Sequence, residues 1–237
     1  MYDNDFEKIK EEIIYKDANL RAFFEAVDKK RCGRKWYINK SSLRADYLGQ
    51  TMIEDKYINI YLKTDEIRKS LKSGQEYHEK EKAILIHELG EADYMLSRLP
   101  ILSSTEHNNI CSDFQEVLSH KYIEYVLKNY GNLYNFVYSN LVCTKSYNEK
   151  EDSLEKIIGT CHLLTTYPNL KKNEIVYKYK ETENELEAID SIMHIINDIF
   201  TLNQEVNDIN IINENTKKII EILKDNGMKY EIEINNL

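Results

Sequence analysis

Ala83-Ile84-Leu85-Ile86-His87-Glu88-Leu89-Gly90-Glu91 puts an imidazole and two carboxylates into a run that otherwise reads as a buried apolar helix. Ionisable groups are costly in such a place unless they are paired or bind a metal. His87 and Glu91 stand four residues apart, so a helix carries them on one face, one turn from each other. Glu88 follows His87 directly and can reach past it. Two donors at i and i+4 with a carboxylate beside the first form the pattern of a metal-hydrolase helix. This helix is expected over about 78–98, with Leu85, Leu89, Ala92, Leu96 and Leu99 as its apolar stripe and Pro100 as its stop.

Around it the chain reads as α+β and mostly helical. Broken 3–4 spacing from Phe6 to Val27 predicts one N-terminal helix over about 5–29, ended by Cys32-Gly33. Trp36-Tyr37-Ile38-Asn39 is a short strand candidate. Residues 45–52 and 57–63 read as two further strands joined by the turn Glu54-Asp55-Lys56. A short helix starts at Thr64-Asp65-Glu66 and stops at Lys72-Ser73-Gly74. Beyond the His-Glu helix come a loop over 103–109 and a helix over about 111–129. More helices are expected near 133–143, 153–166, 184–200 and 214–225, and a closing strand over 229–234. The polar stretch 146–152 is a weak boundary. The chain is expected to divide into a domain over 1–130 built around the His-Glu helix and a mainly helical C-terminal region over 131–237.

Composition narrows the function classes. The chain of 237 residues has 41 acidic and 32 basic residues and a net charge of −9. An acidic chain of this kind argues against unaided binding to nucleic-acid backbones. Cys32, Cys111, Cys143 and Cys161 are scattered singly, with no CxxC pair, which argues against cysteine-ligated zinc and thioredoxin chemistry. No apolar run reaches the ~18 residues of a membrane span, and the acidic start Met-Tyr-Asp-Asn-Asp-Phe-Glu does not read as a signal peptide. The expectation is a cytoplasmic protein with reduced thiols and no membrane partner.

A zinc hydrolase needs three protein ligands and an open position; the ion acidifies water and a carboxylate accepts the proton. His87 and Glu91 are two candidate ligands and Glu88 the candidate base. The third is expected from a helix alongside. Glu116 and His120 fit, again at i and i+4, within a stripe that includes Asp113 and Glu124. His107, in a polar loop, is a candidate oxyanion donor. His78, His162 and His194 read as ordinary surface or satisfied histidines.

On these residues the chain resembles the gluzincin-like metallopeptidases, in particular the ImmA/IrrE type, over residues 36–128. Ile84-Leu85-Ile86-His87-Glu88-Leu89-Gly90 is similar to the family's apolar-apolar-x-His-Glu-Leu-Gly run. Glu116-Val117-Leu118-Ser119-His120-Lys121-Tyr122 is similar to its third-ligand helix, which would carry that role onto Glu116. Tyr57-Ile58-Asn59-Ile60 looks like the family's edge strand and would hold an extended peptide by β-augmentation. The resemblance implies a zincin-like core, a protein substrate and regulatory proteolysis. The family's second histidine is Glu91 here, so the motif is HExxE. A set of His87, Glu91 and Glu116 favours Mn or Fe. A set of His87, Glu91 and His120 keeps the two imidazoles and one carboxylate that suit Zn. A fold that has lost its metal and serves as a regulatory binding module is the alternative. Two other metal chemistries fit less well. HD-type phosphohydrolases need an upstream histidine on a separate helix, and only His78 precedes His87; di-iron bundles need paired Glu-x-x-His motifs.

Overall fold

A computed structural model describes residues 5–41, 47–71, 73–104, 109–141, 152–168, 182–200 and 209–235. The chain is α+β. It divides into two units that interleave in sequence: Met1–Ser97 with Val126–Thr144, and Arg98–Tyr125 with Lys145–Leu237.

In the first unit the expected N-terminal helix is broken into three pieces. Helix α1 (Phe6–Ile9) passes into a π-helical turn, Lys10–Ile14, and α2 runs over Ala18–Asp28. Tyr15 N–H donates to the Lys10 carbonyl, five residues back. A π turn brings residues five apart onto one side, so Ile9 and Ile14 are both buried. The helix restarts at Asp17, whose carboxylate accepts from the Asn19 and Leu20 amides at 2.9 and 3.1 Å. Lys82 Nζ reaches the other oxygen of Asp17 at 2.6 Å.

Partial burial pushes the Asp17 carboxyl upward. The hydrogen bonds from Lys82, Leu20 and Asn19 and the lysine charge outweigh it, so the group titrates below its ordinary value. The stability it contributes is therefore full above the ordinary carboxylate range and is lost as pH falls through the lowered value. Asp17→Ala is expected to cost about 1 kcal/mol at neutral pH. The difference from wild type should shrink in acid, as read by urea unfolding at pH 7 and at pH 3.

Strands β1 (Lys35–Ser41), β2 (Gly49–Ile53) and β3 (Tyr57–Lys63) form a mixed sheet in the order β1-β3-β2. β1 runs parallel to β3, with Ile38 opposite Ile60; β2 runs antiparallel to it, with Thr51 opposite Ile60 and Gly49 opposite Leu62. Opposed residues share a face, so Trp36, Ile38, Ile58, Ile60 and Leu62 line one side, and all five are buried. Phe6 and Phe24 close over Trp36, with ring centroids 6.3 and 5.4 Å away. The Trp36 indole N–H donates to Asp28 Oδ1 at 2.7 Å.

The register corrects one expectation. Tyr57, Ile58, Asn59 and Ile60 lie on the central strand, hydrogen-bonded to β1 on one side and β2 on the other. Their backbone is already used, so they do not form an edge for an added peptide.

Helix α3 (Thr64–Lys69) follows, then α4 (Tyr77–Leu96), the helix of the His-Glu motif. α4 packs against β2, β3 and α2, and α6 (Leu133–Asn140) also lies against it. Ala83, Ile84, Leu85, Ile86 and Leu89 are buried, so the helix is enclosed on more than one side. Even its charged residues are drawn in. Lys80 Nζ donates to the Ser70 carbonyl at 2.6 Å, and Glu81 meets Lys40 at 2.9 Å and the Tyr77 hydroxyl at 2.8 Å.

The second unit is built from α5 (Asn109–Leu127, up to Tyr125), α7 (Ser153–Thr166), α8 (Glu183–Ile199) and α9 (Ile209–Asp225). α8 packs against both α7 and α9. A capping box between Thr182 and Glu185 starts α8. Strand β4 (Ile101–Ser104), in a stretch read from sequence as the chain leaving a helix for a loop, pairs antiparallel with β5 (Ile232–Asn235). The Gln115 side chain accepts from the Leu102 amide at 2.7 Å and ties β4 to α5.

Candidate metal centre

In the first unit, α4 presents His87 and Glu91 one turn apart, with His87 Nε2 3.5 Å from Glu91 Oε1. Both are half-buried. Glu88 points toward β2 and is 3 % exposed. The Thr51 hydroxyl shares its hydrogen between Glu88 Oε2 at 2.7 Å and the Glu88 carbonyl at 2.9 Å. Gly49, two residues along the same strand, leaves room for this carboxyl group. A Cβ there would lie 2.7 Å from Glu88 Cδ and 2.8 Å from Cγ. The absent side chain at Gly49 is therefore part of what shapes the surroundings of Glu88.

The second unit gathers a donor set of its own. α5 carries Glu116 and His120 at i and i+4, and α7 brings His162 to them. One ligand atom from each of the three lies within 4.8 Å of the others. His162 Nε2 is 2.8 Å from Glu116 Oε2. The rings of His120 and His162 are 5.2 Å apart between centroids and inclined at 31°. His120 and His162 are each 5 % exposed, while the Glu116 side chain is 44 % exposed. The Thr166 hydroxyl lies 2.7 Å from His120 Nδ1 and 2.7 Å from the His162 carbonyl.

Two imidazoles and a carboxylate suit zinc. With bonds near 2 Å, donors around one ion lie on the order of 3–3.5 Å apart, and these three, within 4.8 Å of one another, could hold a single small cation. Known families, curated proteins and solved structures offer no match to this chain.

Glu124, at the end of the ionisable stripe on α5, is engaged by Lys121 at 2.6 Å. His78 is exposed, and His194, 79 % exposed, lies 3.5 Å from Asp198, one turn along its own helix. His107 lies outside the described residues. His162 is the residue that sequence reading passed over. Its neighbours carry a signal in hindsight: Thr160, His162 and Thr165 are polar yet buried in a helix whose other buried positions are Leu154, Ile157, Ile158, Cys161 and Leu163. Among the described residues Cys32, Cys111 and Cys161 are not in disulfides, and burial pushes the Cys111 thiol upward. Among the same residues no helix is long and apolar enough to cross a membrane.

Proposed function

We propose that the chain is a metal-dependent hydrolase of the peptidase class, acting on a protein substrate in a regulatory setting. Its divalent ion is Zn in the first place, with Mn or Fe as alternatives. The observation that carries this reading is the convergence of Glu116, His120 and His162 within one unit. Two neutral imidazoles and one carboxylate leave a bound dication with net positive charge. Such an ion supplies Lewis acidity to water and to a substrate carbonyl.

The His87-Glu88-Leu89-Gly90-Glu91 helix laid on a small sheet supports a zincin-like core, in line with the resemblance to ImmA/IrrE-type peptidases. On the HExxE motif, with His87 and Glu91 as ligands, Glu88 is the expected proton acceptor. It would exchange its bond to Thr51 for one to a reacting water, and among the described residues β2, at one end of the strand order, rather than the central β3, has a side left for an extended peptide.

A second reading, a regulatory binding module that does not cut, is favoured by one observation. The Glu88 carboxylate is enclosed by Gly49 and held by Thr51, as a structural carboxylate is.

Purified chain is expected to contain about one transition ion, removable by a chelator. Incubation with an unfolded protein substrate should then give cleavage that stops on chelation and in Glu88→Gln, while the Glu88→Gln chain keeps its ion. Full metal content without cleavage would support the module. A chain that takes up no transition ion under any loading condition, with partner binding unchanged in Glu88→Gln, would overturn the hydrolase and support the metal-free module. His87→Ala and Glu91→Gln, assayed for metal content beside them, test the ligand roles expected from the HExxE motif.

A further inference from the structure

We propose that Thr166 is a positioning residue that fixes which nitrogen of His120 meets the cation; the inference rests on the metal reading above. The argument is one of counting hydrogens. A carbonyl oxygen can only accept, so the single hydrogen of the Thr166 hydroxyl is assigned to the His162 carbonyl, 2.7 Å away, which also accepts from the Thr165 hydroxyl at 3.0 Å. The Thr166 oxygen then meets His120 Nδ1 at 2.7 Å with only lone pairs left to offer. Nδ1 therefore carries the proton, and in the neutral ring the lone pair is on Nε2. His120 ligates through Nε2.

The same hydroxyl spans both histidine-bearing helices. It fastens the His120 ring of α5 to the last turn of α7, one turn beyond His162. A hydrogen bond to the second nitrogen of a ligating histidine fixes its tautomer and ring orientation. Removing such a partner typically costs about 10–100-fold in metal affinity. Thr166 sits at the end of α7 and is half-buried, so valine, of nearly the same shape, replaces it without leaving a cavity.

The test uses the full chain and three measurements. In the metal-free protein, nitrogen-detected NMR of the histidine rings should show His120 with its hydrogen on Nδ1; a ring with the hydrogen on Nε2 overturns the proposal. Competitive titration with zinc should show Thr166→Val weakened about 10–100-fold, with Thr166→Ser close to wild type in zinc affinity and in metal-free urea midpoint, and metal-free Thr166→Val still folded at a lowered midpoint. Cobalt-loaded Thr166→Val should show an altered visible spectrum, which a purely structural role would not produce. Equal zinc affinity in wild type and Thr166→Val overturns the role of Thr166 alone. A wild-type chain that binds neither zinc nor cobalt overturns the metal reading, and the positioning role goes with it. If Thr166→Val fails to fold, the NMR assignment on wild type decides.

Discussion

His162→Ala is expected to lower zinc affinity by more than about 100-fold, beyond the 10–100-fold typical of losing a hydrogen-bond partner behind a ligand. The reason is geometric. His162 is the one of the three donors that comes from α7, and without it this group keeps, among the described residues, the i, i+4 pair Glu116 and His120 on α5. A lone pair of donors on one helix face is a far weaker chelate than three that converge. The measurement is competition with a chromophoric chelator, with His194→Ala as the control, because His194 is 79 % exposed and sits on α8.

Unfolding gives an independent readout. An ion that binds only the folded chain stabilises it by about 2.7 kcal/mol at a free concentration 100 times its Kd. Zinc should therefore raise the melting temperature of wild type and of His194→Ala, and leave His162→Ala where it was. An unchanged zinc affinity in His162→Ala would remove α7 from the metal centre.

Gly49→Ala is expected to destabilise the first unit by about 1–3 kcal/mol, although local preference points the other way. Alanine in place of a strand glycine is ordinarily favourable by roughly 0.5–1 kcal/mol. Here the new methyl group would meet Glu88 at 2.7 Å from Cδ and 2.8 Å from Cγ, well inside contact distance. The carboxylate can swing away only by giving up the Thr51 hydroxyl at 2.7 Å. Leaving a buried hydrogen-bonding group without its partner costs about 1–3 kcal/mol, so the loss outweighs the gain in propensity. Urea denaturation of Gly49→Ala, Glu88→Ala and the double variant measures this directly. In the Glu88→Ala background the penalty should vanish and the propensity gain emerge, giving a coupling energy of at least about 1 kcal/mol. An additive pair would mean that the close approach of β2 to Glu88 is not what the glycine is for.

Much of the frame was legible in the sequence, and the parts that were not share a cause. The strand Tyr57–Lys63, the His-Glu helix and the helix carrying Glu116 and His120 all announce themselves through local periodicity, because each pattern is contained within one element. The central position of β3 is not local. It depends on β1 pairing parallel to β3 while β2, between them in sequence, crosses to the far side, and nothing in Trp36-Tyr37-Ile38-Asn39 states which neighbour it will take. The pairing of β4 with β5 joins segments about 130 residues apart and was equally silent. The break at Asp17 was written in the residues, since an aspartate before Ala-Asn-Leu is a capping signal, but the continuous apolar spacing masked it. At the site, Glu116 and His120 were recognisable by their i, i+4 spacing. His162 was not, because a donor that arrives alone on another helix has no spacing to betray it.

The interleaving of the two units sets an order of events during synthesis. Glu116 and His120 leave the ribosome more than 40 residues before His162, and residues 126–144, which belong to the other unit, emerge in the interval. β4 in turn waits for a partner strand at residues 232–235. A nascent chain can therefore hold two of the three donors long before the third exists. If the three groups hold a cation as proposed, its loading waits at least until His162 has emerged.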